Sequence, residues 1–219
     1  MNRTFLKSYA RLHTTYSEVH YPTSIEELKQ LFARANDRGR RVSFRGGGYS
    51  FDSQSLNDDL VISLRHFNHI KNIDNDKKQI TVEPGARWGE IVSRLQPLGL
   101  TPFVVVTTGQ ATAGGTFSGN CLSRNSPVFG KEGKHIERFQ FLTLDGELLE
   151  CSRQQNAELF HAAIGGFGYL GVVTEITYNL LSIGSRTRVK TVARKYENLD
   201  DLIRELMDFT HQPGEWNAL

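Results

Sequence analysis

The chain has 219 residues, with 26 Lys and Arg against 24 Asp and Glu, a formal net charge of +2. That balance supplies no electrostatic footprint for nucleic acid, and two cysteines, Cys121 and Cys151, exclude a disulfide framework or a paired-cysteine metal site. No stretch reaches the ~18–20 apolar residues that cross a bilayer, and the N-terminus lacks the apolar core of a secretory signal, so a cytoplasmic protein with an ordinary buried core is expected.

In chain order, the basic and aromatic segment before Tyr16 reads as a solvated leader, and Ser17–Tyr21 as a short strand broken at Pro22. Thr23 and Glu26 have the spacing of a capping box, and Ile25, Leu28, Leu31, Phe32 and Ala35 recur at helical period before Gly39. Strands follow at Val42–Phe44, Leu60–Leu64 and Gln79–Glu83, then a short amphipathic helix from Trp88 to Leu95, stopped by Pro97 and Gly99. The run Phe103–Val106 leads into Thr108–Asn120, which is nearly uncharged, too apolar for a solvated loop and too small-residued for a packed helix. Such backbone suits close approach to something flat or bulky, because glycine has no Cβ to hold a partner away.

Ser123–Lys134 reads as an exposed loop, and Phe139–Cys151 as a hairpin turning at Asp145-Gly146. Asn156 is placed to cap a helix over Ala157–Ile164, which four closely spaced glycines separate from the strand Val172–Leu180. A strand at Val189–Val192 and a helix at Leu199–Phe209 complete the pattern. The order is mixed, with few βαβ units, so an α+β fold is expected.

Three glycine-rich segments invite a chemical reading. Arg45–Phe51, RGGGYSF, follows an apolar strand directly; consecutive N–H groups freed of side chains can converge into an anion-binding nest, with the Ser50 hydroxyl beside them. Gly166–Gly171, GFGYLG, has the spacing of a dinucleotide fingerprint but follows a helix and precedes a strand, the reverse of what that motif needs, and is rejected on that ground. Thr108–Asn120 offers hydroxyls and backbone groups without an acid, base or nucleophile, so it binds rather than reacts. The histidines, including His66, His69, His135 and His161, have no metal-ligand spacing.

RGGGYS, VISLRHFNHI, ITVEPGARWGEIVSRL, TGQATAGGTFSGN, FLTLDGELLECS and AELFHAAIGGFGYLGVVTEITYNL occur in that order. Together they resemble the FAD-binding (PCMH-type) domain of the vanillyl-alcohol oxidase/p-cresol methylhydroxylase superfamily. In detail they resemble its decaprenylphosphoryl-β-D-ribose oxidase and sugar-alcohol/aldonolactone oxidase branch. The resemblance implies a two-subdomain FAD-binding fold over residues 1–180, with 181–219 a connection and the beginning of an incomplete substrate (cap) domain. It implies FAD contacts from Arg45, Gly46, Gly47, Gly48, Tyr49, Ser50 and Phe51, which correspond to the pyrophosphate loop. It adds Gly109, Thr112, Ala113, Gly114 and Gly115 beside the pyrophosphate and flavin, Gly119, Asn120, Cys121 and Leu122 past the flavin, and Val172 at the adenine portion or the flavin edge.

Many members carry at the position of Tyr49 a histidine bonded to the flavin, so the phenol here implies dissociable FAD. Cys121 lies too late for the second covalent link and is read as a small residue packed by the cofactor. Leu122 stands where the sugar oxidase has histidine. The implied reaction is oxidation of a C–H next to a hydroxyl, on a sugar or sugar alcohol, by hydride transfer to flavin N5, with no catalytic residue or metal assigned. The alternatives are a flavin-binding module that needs a partner chain for its substrate site, and a non-enzymatic remnant.

Overall fold

Two β-sheets take up the strands of the computed structural model, which describes residues 3–184 and 193–210. The first sheet has the order β1-β2-β4-β3, from β1 (Arg3–Lys7), β2 (Thr14–His20), β3 (Val42–Arg45) and β4 (Leu60–Ser63). β1 and β2 are antiparallel, whereas β4 runs parallel to both neighbours. Helix α1 (Ile25–Asp37) supplies the crossover and buries Leu28, Leu31, Phe32 and Ala35. A fully buried leucine contributes about 1.5–3 kcal/mol, so this stripe suffices to dock the helix. Arg40 reaches Glu18 of β2 and Asp59 ahead of β4, each at 2.7 Å, and holds the strand ends together.

The second sheet is antiparallel, with order β5-β6-β10-β8-β9 from β5 (Ile70–Asp74), β6 (Gln79–Val82), β8 (Ile136–Thr143), β9 (Leu148–Ser152) and the central β10 (Gly171–Ser182). β7 (Leu100–Pro102) pairs with the far end of β10. Helix α2 (Trp88–Leu95) covers this sheet with Trp88, Ile91 and Leu95, α5 (Ala157–Ala163) adds Phe160, and α3 (Ala113–Gly119) adds Phe117. The two cores interlock, because Leu142 of β8 and Val172 of β10 belong to the cluster built on α1 and β4.

The periodic segments lie where the pattern puts them, including the hairpin and the α5–glycines–β10 order. Several readings are corrected. The leader is in part an edge strand: β1 is almost wholly exposed and so shows no alternation of apolar residues. β5 was likewise without signal, with two exposed residues in five. The α1 cap is Ser24, whose Oγ accepts the Glu27 N–H at 3.2 Å, while Glu27 accepts the Thr23 N–H at 2.7 Å, so the box is shifted by one residue.

Ala113–Gly119 is a helix, against expectation. Its glycines cost helix propensity, about 1 kcal/mol each relative to alanine, but only a glycine fits at 114, where a Cβ would stand 2.5 Å from Pro84. Ser123–Lys134 is more than an exposed loop: it holds α4 (Ser126–Phe129) and most of a 3-10 turn, Glu132–His135, whose first residue is buried. The helix near the C-terminus is α6 (Leu199–Thr210). The expected strand Val189–Val192 and residues 211–219 lie outside the described residues. No described helix is long and apolar enough to cross a membrane.

Candidate functional site

β3 delivers the chain from the first core straight into Gly46–Gly48, where side chains are sterically excluded. A Cβ at Gly46 would lie 2.3 Å from Thr112 Oγ1, one at Gly47 would lie 2.7 Å from the Gln110 carbonyl, and Gly48 adopts φ +78° with the Arg45 guanidinium 2.6 Å from its missing Cβ. Among the described residues, no N–H of 46–51 donates to a backbone carbonyl. The loop therefore presents a row of unpaired donors. Arg45 fixes it from behind, donating to Ser55 Oγ at 3.0 Å and to the Lys7 carbonyl at 2.9 Å. Burial draws the guanidinium's pKa down from its ordinary value. From the turn after β1, Tyr9 packs against Tyr49 at 5.1 Å and Phe51 at 5.2 Å.

Facing the loop is α3. Its first two N–H groups are used by protein, Ala113 donating to the Ala86 carbonyl at 2.9 Å and Gly114 to that of Pro84 at 2.8 Å. The N-cap Thr112 is buried, and its Oγ1 has no hydrogen-bond partner. The third wall is the segment between α5 and β10. Gly168 (φ +78°) is 3.0 Å, measured from its missing Cβ, from the Phe44 ring, and Gly171 (φ +144°) is 2.4 Å from the Leu142 carbonyl, so both need glycine.

These three segments enclose a cavity of about 470 Å³ between the sheets, within the range of roughly 300–1,000 Å³ usual for small-molecule sites. Apolar side chains stand at its edge, Phe51 and Leu122 being 69 % and 58 % exposed. Among the described residues, no Asp, Glu, His, Lys or Arg lines it, and its only ionisable side chains are Tyr49 and Cys121. Burial, and after it the charge of Glu132, pushes the Cys121 thiol up to about 11.

Of the residues expected to contact a cofactor, Gly46, Gly47, Gly48, Tyr49, Ser50, Phe51, Thr112, Gly114, Gly115, Gly119, Cys121, Leu122 and Val172 line this cavity. Four stand outside its wall. Arg45 lies behind the loop it anchors. Gly109 packs against Gly89, where a Cβ would be 3.1 Å from the facing Cα. Ala113 is fully buried in the core. Asn120, in the left-handed region, spends its Oδ1 on the Gly133 N–H at 3.0 Å. The sequence reading missed Gly166, Gly168 and Gly171, which line the cavity although the segment is no dinucleotide fingerprint; the density of glycines there was the available signal.

It also missed a buried polar network behind α3. Tyr178 donates to Glu132 Oε1 at 2.7 Å, Thr116 donates to the same oxygen at 2.9 Å, and the Trp88 indole N–H donates to Thr116 Oγ1 at 2.9 Å. Burial pushes the Glu132 carboxyl up to about 8, opposed by its hydrogen bonds from Tyr178 and Thr116. Its partners come from α3 and β10, 16 and 46 residues away, so nothing local marks a Glu at this position.

The profile of the FAD binding domain family matches residues 17–152, which include the glycine loop and α3. The chain belongs to the FAD binding domain family. It is 29 % identical over 203 residues to L-gulonolactone oxidase of Bos taurus, covering 91 % of this chain and 46 % of that one. It is 28 % identical over 178 residues to decaprenylphosphoryl-β-D-ribose oxidase of Mycolicibacterium smegmatis, covering 80 % and 39 %. Among solved structures, 6-hydroxy-D-nicotine oxidase of Arthrobacter nicotinovorans shares the fold, with a TM-score of 0.72 at 23 % identity, covering 81 % of this chain and 39 % of that one. The chain thus spans less than half the length of these relatives.

FAD is the cofactor of this FAD binding domain, and the cavity suits it on grounds independent of the family. The unpaired N–H row of 46–51 and the unsatisfied Thr112 hydroxyl are donors awaiting acceptors such as pyrophosphate oxygens. The glycine contacts leave the backbone, with no side chain between, to meet a ligand.

Proposed function

We propose that this chain is the FAD-binding portion of an FAD-linked oxidoreductase acting on a C–H next to a hydroxyl, on a sugar, sugar alcohol or sugar lactone. Residues 1–180 form the FAD-binding unit and 181–219 the opening of a substrate domain. The observation that carries the proposal is the cavity itself: three glycine-rich walls, unpaired donors and, among the described residues, no charged side chain. The substrate class follows the names of relatives at 28–29 % identity, a gulonolactone oxidase and a decaprenylphosphoryl-β-D-ribose oxidase.

The loop Gly46–Phe51 with Thr112 binds and orients the pyrophosphate, while Gly114, Gly115, Gly119, Cys121, Leu122 and Val172 bound the rest of the cofactor. Bound FAD supplies a hydride acceptor for the alcohol carbon. Attachment is non-covalent: no histidine among the described residues lines the cavity, Tyr49 stands at the loop, and the Cys121 thiol stays protonated at neutral pH. The apolar side chains at the edge exclude water once covered.

A second reading, that the substrate site is completed by another segment or chain, is favoured by one observation. Among the described residues, the cavity wall has no carboxylate, imidazole or amine that could take the hydroxyl proton. The test is the visible spectrum of the purified protein, with FAD added if needed. A flavin band that acid denaturation releases into the supernatant is expected, and a protein that stays colourless with added FAD sinks the proposal. Bleaching of the oxidised flavin band by a sugar alcohol or aldonolactone added to this chain alone, without a second polypeptide, would sink the second reading.

A further inference from the structure

Glu132 is the one buried acidic side chain among the described residues, at 2 % exposure, and the reaction proposed above makes no use of it. Its neighbours place it immediately behind the cavity. Thr116 and Cys121 both line the cavity, and both hold Glu132. Thr116 donates to its carboxyl, the Cys121 N–H lies close enough to favour its charged form, and the Cys121 carbonyl accepts the Glu132 N–H at 3.1 Å. The carboxyl is therefore separated from the cavity by a single layer of protein.

The network can serve either charge state. With the carboxyl ionised, Thr116 and Tyr178 both donate to Oε1. With it protonated, either hydroxyl can turn to the Ala113 carbonyl, 3.1 Å from Thr116 and 3.4 Å from Tyr178, and accept the new proton.

Few charges face this carboxyl. Tyr178 comes from β10 and the Cys121 thiol from the turn after α3; α3 has no ionisable residue, and α2 presents the Trp88 indole. Glu175, the one carboxylate on β10, is paired with Lys71 at 2.7 Å. Lys131, Lys134 and His135 flank Glu132 in sequence and do not neutralise it: burial is the leading influence, and hydrogen bonds alone oppose it. No cation among the described residues is paired with this carboxyl, so a negative charge on Glu132 would repel an anionic ligand in the cavity.

We propose that Glu132 couples FAD binding to the uptake of up to one proton, its carboxyl ionised in part of the FAD-free protein and protonated once the anionic cofactor occupies the cavity behind whose wall it lies. The proton comes from solvent, one carboxyl O–H bond forms, and nothing is oxidised or reduced. Glu132 is a positioning residue, since it meets the cofactor only through the wall. The inference rests on FAD occupying this cavity.

The test titrates the full chain with FAD by calorimetry in two buffers of different ionisation enthalpy, which counts protons taken up on binding. Uptake of about half a proton is expected near pH 8, declining toward about pH 6, with Kd rising up to about tenfold per pH unit above the carboxyl's own value. Glu132→Gln abolishes both. Tyr178→Phe, by removing a hydrogen bond that favours the charged form, moves the uptake maximum to higher pH, and it carries the test if the glutamine variant does not fold. FAD bound with no proton uptake between about pH 6 and about pH 9, uptake unchanged by Glu132→Gln, or a maximum unmoved by Tyr178→Phe overturns the inference and leaves the site reading intact. Failure of the wild-type chain to bind FAD at any pH overturns the site reading and the inference with it.

Discussion

Thr112 has a hydroxyl shut away from water with no group of the protein to satisfy it. Leaving such a group unpaired costs about 1–3 kcal/mol. Replacing it with valine, of the same shape, should therefore stabilise the FAD-free protein by about 1 kcal/mol, a rise of roughly 2–4 °C in Tm. The same change should weaken FAD about tenfold by removing a donor. Scanning fluorimetry and an FAD titration measure the two effects, and an unchanged FAD affinity would remove Thr112 from the site.

Gly46 tests the facing side. Gly46→Ala sets a Cβ 2.3 Å from Thr112 Oγ1, and overpacking of this kind destabilises by about 1–3 kcal/mol. Adding Thr112→Ala should recover most of that stability, because the remaining neighbours, Thr112 Cβ at 3.6 Å and Gly115 N at 3.8 Å, are at ordinary contact. A denaturation cycle in which the two changes simply add would place the strain elsewhere. At this scale the sequence could show that Gly46–Gly48 needed missing side chains. It could not show that a threonine 66 positions away was what Gly46 avoided.

The element least legible in the sequence is α3, since its glycines argue against a helix until Pro84 is seen pressed against Gly114. The same blindness hid Glu132, which looked like one more polar residue in an exposed loop and is instead a buried acceptor joined to α3 and β10. Its folded-state value is raised to about 8, whereas the unfolded chain returns to the ordinary carboxylate range. Its contribution to stability is therefore whole below that ordinary range and is lost as pH rises toward about 8. Denaturation of wild type and Glu132→Gln should show the wild type losing ground by up to about 1.4 kcal/mol per pH unit in this window, then no further. Parallel curves across it would mean that the carboxyl is not held neutral.

At the scale of the whole molecule, α1 was legible from its helical apolar stripe, and β3, β4, the β8–β9 hairpin and β10 from short apolar runs bounded by turn residues. The order of the glycine blocks carried the family. Chain order could not show that the segment 166–171 curls over to face the loop 46–51, closing a cavity between two sheets. Because both sheets contribute walls, a ligand in that cavity holds them together. At 100 times Kd, FAD should add about 2.7 kcal/mol to stability and raise a single unfolding transition by roughly 5–11 °C. Separate transitions for the two sheets in the presence of FAD would contradict a shared site.

Trp88 gives the cavity an optical reporter. It is one of two tryptophans in the chain, 1 % exposed, and its indole N–H is bonded to Thr116 in the cavity wall. Flavin absorbs where indole emits, so an occupied cavity should quench this emission by energy transfer, while the FAD-free protein should glow with the blue-shifted colour of a buried indole. Trp216, outside the described residues, can be replaced by phenylalanine to leave Trp88 as the sole emitter. Cofactor arrival and loss could then be followed in real time without any added label.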